Sequence, residues 1–252
     1  MKSKTKIIIK YSAWTLFALF SVYIWLFLYP QILFKYKVSY RNFNVYSNEY
    51  MGNRIPAIID TAIIKLKVSE IYDSTVTQKI FFINESFYCT MTFPYYKKRS
   101  AFHEYLINNT MIVRPPFNNS NHDLISPGYD NILARSITHE VIHSMECKRL
   151  GFWKAVKSPD WKIEGYAYFI QYHEKVVEGN HLKSTFLLPY YRYRKVKEFS
   201  NSYGSYALLV GFLLMNKHMT FDQLMMDNVT REQALNQLEE SVQLHEPNEP
   251  KT

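Results

Sequence analysis

His139-Glu140-Val141-Ile142-His143 places two imidazoles four residues apart with a carboxylate between them. On an α-helix, positions four apart share one face, so both rings can reach a single metal ion. Glu140 falls on the flank of that face, where it can act as a base on a metal-activated water without being a ligand itself. A catalytic metal of this kind takes three protein ligands and leaves one position open. Trp161-Lys162-Ile163-Glu164-Gly165-Tyr166-Ala167 supplies the third in Glu164, after twenty intervening residues (144–163). Cys147, four residues beyond His143, competes for the same role, and Glu164 is the favoured ligand.

Two helices must carry these groups. The Ser126-Pro127-Gly128 turn, Asp130 as N-cap and Gly151 just past the last periodic residue bound the first helix. Within it Leu133, Ile137, Val141 and Met145 form a core stripe, and Ser136, His139, His143 and Cys147 a stripe facing a cleft. Ser158 as N-cap and Pro159 at the first helical position start the second, with Glu164 in its second turn. Upstream, residues 42–46, 79–83 and 111–113 read as strands, the last ended by Pro115-Pro116, and residues 55–68 as an amphipathic helix. Residues 206–215 read as a buried core helix and 220–242 as further helix, with Thr230 capping the stretch 231–238. The tail 245–252, with two prolines and no apolar period, is expected to be disordered.

H-E-x-x-H followed some twenty residues later by W-x-x-E-G-x-A resembles the gluzincin zinc metallopeptidases, the superfamily of thermolysin-like and aminopeptidase-like enzymes. The resemblance implies one Zn2+ per chain held by His139, His143 and Glu164, with Glu140 as the general base in peptide-bond hydrolysis. It also implies an oxyanion donor from the C-terminal helical part, for which Tyr206 and Tyr203 are the candidates. An edge strand beside the zinc helix is expected to pair with extended substrate, and Met111, Ile112 and Val113 are assigned to it. The implied fold is α+β: an N-terminal transmembrane helix, then a zincin-like catalytic domain with a small mixed sheet and a mostly helical second half. Two departures matter. No G-x-M-E-N-like segment precedes the zinc helix, which favours an endopeptidase over an aminopeptidase. Tyr168 stands four residues after Glu164, where the family often has an acidic residue that orients a zinc histidine.

Residues 11–29 are nineteen without a charge, and as a helix they span about 28 Å against a hydrocarbon core of about 30 Å. Trp14, Trp25 and Tyr29 fit interfacial positions. Lys2, Lys4, Lys6 and Lys10 precede the stretch, while Lys35, Lys37 and Arg41 follow it, so the balance favours a cytoplasmic N-terminus (1–10) and an extracytoplasmic domain (38–244). A cleaved signal peptide is the alternative, but no small-x-small site follows the apolar run, so an uncleaved anchor is expected. Cys89 and Cys147 would either pair as a disulfide or remain buried thiols. The net charge of +8 and the basic-aromatic run 190–197 suggest nucleic acid. An extracytoplasmic domain argues against that partner, and the run reads better as a solvated helix face. N-x-S/T triplets begin at Asn84, Asn108, Asn118 and Asn228. The expected partners are the membrane and a peptide or protein substrate. The rival to an enzyme is a membrane-anchored binding or assembly protein that keeps the fold but not the catalysis.

Overall fold

The computed structural model describes residues 2–51, 53–83, 100–105, 107–113, 128–172, 176–178, 181–183 and 203–245. It begins with one long helix, α1 (Lys2–Leu28), which runs into a 3₁₀ turn (Pro30–Leu33). The segment Tyr11–Leu28 has a mean hydropathy of 1.6 and 0% of it is buried, so it is long and apolar enough to cross a membrane.

A five-stranded sheet follows, built from β1 (Tyr36–Tyr40), β2 (Phe43–Ser47), β3 (Gln78–Ile83), β4 (Ala101–Glu104) and β5 (Asn109–Val113) in the order β1-β2-β3-β5-β4. The three inner strands are parallel, and an antiparallel strand closes each side. Strand β3, with Ile80, Phe81, Phe82 and Ile83 all buried, carries the unbroken apolar run of a strand covered on both faces.

One face, with Phe43, Val45, Ile80, Phe82 and Ile112, packs into the main core. That core is completed by Ile58 and Ile59 of α2 (Ile55–Leu66) and by Leu133, Ile137, Val141 and Met145 of α3 (Gly128–Leu150). The expected core stripe of α3 is therefore present in full. On the opposite face Tyr46, Phe81, Ile83, Phe102, Met111 and Val113 form a second cluster, joined by Phe34 from beyond the 3₁₀ turn. The remaining elements are α4 (Phe152–Lys157), α5 (Asp160–Tyr172), the hairpin β6 (Val176–Glu178) and β7 (His181–Lys183), α6 (Tyr203–Met215), α7 (Phe221–Met226) and α8 (Arg231–His245). Chain and sheet thus form a mixed α+β arrangement, and α6 is the buried apolar helix expected from its sequence.

Several local expectations change. Met111, Ile112 and Val113 lie not on an edge but on β5, paired on both sides, and the edge is β4. Ala-Phe-His-Glu has too little apolar alternation to mark a strand; its pairing with β5 creates one. Asp130 lies inside the first turn of α3 and pairs with Arg54 instead of capping. The Ser158 hydroxyl donates back to the Lys154 carbonyl at 2.8 Å, so it closes α4, and the Pro159 carbonyl accepts the first bonds of α5, from Lys162 N at 2.9 Å and Ile163 N at 3.3 Å. Residues 220–242 divide into α7 and α8, and Thr230 caps α8 by accepting from Gln233 N. Cys89, Pro115-Pro116, the run 190–197, Asn84, Asn118 and the tail from 246 lie outside the described residues.

Candidate metal centre

Helix α3 turns His139 and His143 toward one point, with their Nε2 atoms 3.1 Å apart and their rings nearly perpendicular. Helix α5 brings Glu164 to them: its Oε2 lies 3.3 Å from His139 Nε2 and 3.7 Å from His143 Nε2. Gly165 explains how α5 gets there. A Cβ at this position would stand 2.7 Å from the Tyr206 carbonyl oxygen and 2.7 Å from Val210 Cγ2, so α5 and α6 touch backbone to backbone. At the other end of the site, α3 stops at Gly151, whose φ of +79° suits glycine and whose N–H donates to Cys147 O at 2.8 Å.

Four-coordinate zinc at 2.0–2.1 Å from nitrogen and oxygen donors holds its ligand atoms about 3.3 Å apart. The three separations here bracket that value, and the donor set of two imidazoles and a carboxylate suits such an ion. His139, His143 and Glu164 can therefore hold a metal ion. Cys147 is half-buried and does not join the cluster; its free thiol is pushed up by burial and by Glu146.

Around the donors lies a second ring of contacts. His143 Nδ1 meets Glu146 Oε2 at 2.7 Å, which leaves His143 Nε2 as the atom that faces the metal position. Glu146 is wholly buried, and its other oxygen finds no partner among the described residues. Burial pushes its carboxyl up to about 7, against the pull of the His143 charge. For His143 burial opposes protonation, but the Tyr105 hydroxyl, Glu146 and Glu164 outweigh it and hold the ring well above the usual range. Burial likewise opposes ionisation of Glu164, and hydrogen bonds from His139 and His143 reverse this, keeping the carboxylate well below its ordinary value. Tyr168 packs edge-on to the His139 ring at 4.6 Å, and His139 Nδ1 has no partner among the described residues.

The sheet supplies the facing wall. His103 pairs across the strands with Thr110, its Nδ1 3.2 Å from the Thr110 hydroxyl, while its Nε2 is buried without a partner among the described residues. Burial first, then the His143 charge, hold His103 down at about 3. The Tyr105 ring sits 5.3 Å from His103 and 6.3 Å from His143. Its hydroxyl, pushed up to about 12 mainly by burial, feels the charges of His143, Glu146, Glu164 and Glu140. A cavity of about 660 Å³ runs between this wall and the helices, and His139, Glu140, His143 and Glu164 all line it.

Glu140 thus stands where the motif puts it, buried beside the donors. Of the other assignments, Tyr206, Met111, Ile112 and Val113 fall elsewhere. Tyr206 packs against the core and meets Gly165 through its carbonyl, and it does not line the cavity. Tyr203 opens α6, and its side chain lies outside the described residues. Met111 and Val113 face the second cluster and Ile112 the main core, while Ala101 to Tyr105 line the cavity in their place. Glu146, Tyr105 and His103 have no place in the sequence reading. Only Glu146 carried a signal, its spacing of three residues from His143 on one helix face. Comparison of the chain with protein-family models, with curated proteins and with solved structures returned no match.

Proposed function

We propose that this protein is a membrane-anchored, zinc-dependent peptidase of gluzincin type, acting as an endopeptidase outside the cytoplasm. The observation that carries the reading is the meeting of His139, His143 and Glu164 at one point, with the separate carboxylate of Glu140 in the same cavity. A binding protein has no need of that fourth group.

A zinc ion held by the three donors would lower the pKa of a bound water to about 7 and polarise the scissile carbonyl. The rest is the work of this chain. Glu140, buried in the cavity wall, takes a proton from the attacking water on its carboxylate and returns it to the departing amine. Tyr105, which lines the cavity where Tyr206 does not, donates its phenolic hydrogen to the oxygen that becomes negative, because burial keeps that hydroxyl protonated across the neutral range. Glu146 accepts from His143 Nδ1 and so orients the ring. Strand β4, the edge of the sheet among the described residues, offers backbone groups to an extended chain, which supports polypeptide as the substrate. The sheet order, with an antiparallel edge strand between the parallel strands and the cleft, supports a zincin-like domain. The four lysines in the first turns of α1, ahead of its uncharged stretch, support a cytoplasmic N-terminus.

The test is the full-length chain in detergent, assayed for bound zinc and for cleavage of a peptide library, beside Glu140→Gln. Stoichiometric zinc in both, with cleavage by the wild type alone, is the expected result. Zinc with no cleavage by either shifts the reading to a binding or assembly protein, and no metal in either ends the site assignment. A reporter fused after Thr252 that is active in the cytoplasm would reverse the orientation.

A further inference from the structure

Residues 105–108 join β4 to β5, and α3 packs against both strands. Tyr105 opens this turn and Asn108 closes it. Asn108 has a φ of +51°, in the left-handed region that asparagine enters more readily than most residues. Its side-chain oxygen accepts from the Ser144 hydroxyl at 2.6 Å. Ser144 is buried and follows His143 directly in the chain. Two other hydroxyls of α3 turn back on their own helix: Ser136 donates to Ile132 O at 3.2 Å and Thr138 to Ala134 O at 2.8 Å. Ser144 instead reaches across to the end of the hairpin, one residue beyond a metal-facing histidine.

Asn108-Asn109-Thr110 has the form of a glycan acceptor in the sequence. In the fold its two outer side chains are bonded within the protein, Asn108 to Ser144 and Thr110 to His103. Tyr105, at the other end of the turn, meets His103 and His143 through ring contacts at 5.3 and 6.3 Å, which leave the place of its hydroxyl to the backbone that carries it. We propose that Ser144 and Asn108 are positioning residues, whose hydrogen bond latches the β4–β5 turn to α3 and so holds Tyr105 beside the metal position. A donor that must meet a developing charge is sensitive to a displacement of about 1 Å, and the latch ties the turn to the helix that carries both histidines. The inference rests on the peptidase reading for the role of Tyr105, and its test includes a readout that needs no turnover.

The experiment uses the full-length chain in detergent with two variants, Ser144→Ala, which removes the donor, and Asn108→Gly, which removes the acceptor and keeps the left-handed backbone free of strain. In the zinc-loaded protein each is expected to lower kcat by roughly ten- to a hundred-fold, with KM and zinc content close to wild type. In a Tyr105→Phe background neither change should lower kcat further, because the latch acts through that hydroxyl. The Co2+-loaded protein carrying 3-fluorotyrosine reads the same geometry at rest. The fluorine signal that Tyr105→Phe removes should be broadened by the metal in the wild type and sharpen in both latch variants. A wild-type kcat in the latch variants, a loss that persists in full in the Tyr105→Phe background, or an unchanged fluorine signal would overturn the latch. A signal that sharpens in both variants, together with no cleavage by the wild type, would support the latch and end the peptidase reading.

Discussion

The two edges of the sheet, β1 and β4, are built alike and used differently. Each is an antiparallel strand laid on a parallel interior strand. Strand β1, the first strand after α1, alternates half-buried and exposed residues and is followed by Arg41, which pairs with Asp60 at 2.8 Å in the open. Strand β4 buries Phe102, His103 and Glu104, although two of the three are ionisable. An edge in solvent is protected from unwanted pairing by charge and exposure. An edge enclosed by helices can instead hold polar groups in a dry place, where their interactions are stronger. What sets β4 apart is the packing of α3 against it and the cavity it shares with α4 and α5, not its strand pairing.

That contrast can be broken or sharpened by substitution, with the largest effects expected on the β4 side. Glu140→Gln should lower peptide cleavage by about 10²- to 10⁴-fold with zinc retained, as steady-state kinetics and metal analysis would show. Gly165→Ala must part α5 from α6 and should cost about 1–3 kcal/mol in urea unfolding; a fully stable variant would mean that the backbone contact does not position Glu164. Glu146→Ala should weaken zinc binding by about 10- to 100-fold, and Glu146→Gln should restore part of it, read by competition with a chelator. If both variants bind zinc like the wild type, His143 needs no orienting partner.

A smaller effect comes from His103. Its folded value of about 3 lies below the unfolded value of about 6.5. The unfolded chain therefore takes up a proton that the folded chain refuses, and stability is complete above pH 6.5 and lost as pH falls toward 3. The slope from this one group is at most about 1.4 kcal/mol per pH unit, and it should be absent in His103→Phe when unfolding is compared at about pH 5 and about pH 7. At the β1 edge, Asp60→Asn should change stability by less than about 1 kcal/mol and leave zinc binding and cleavage untouched. A large loss there would erase the distinction between the edges.

The helical half of the site could be read from sequence because its geometry is local. A spacing of four places His139 and His143 on one face whatever surrounds the helix, and the core stripe from Leu133 to Met145 fixes which face is which. The sheet half could not. His103 and Tyr105 reach the cleft only because β4 pairs with β5, a contact set by tertiary packing, and nothing separates Tyr105 from the other tyrosines among the chain's 21. Glu146 had the right spacing, but an acid three residues from a histidine on a helix is most often solvated; burial gives it another role. Glycine at 165 belonged to the motif without a reason until the Tyr206 carbonyl was seen against it.

The contact at Gly165 also bears on how such a site survives divergence. Main chain lies against main chain where α5 crosses α6, with the Val210 side chain beside it, so the place of Glu164 depends on residue 165 having no side chain. Side chains elsewhere on both helices can drift in size and type while the carboxylate stays in position. The register of the Glu164 carboxylate against the two histidines thus hangs on a single missing methyl group.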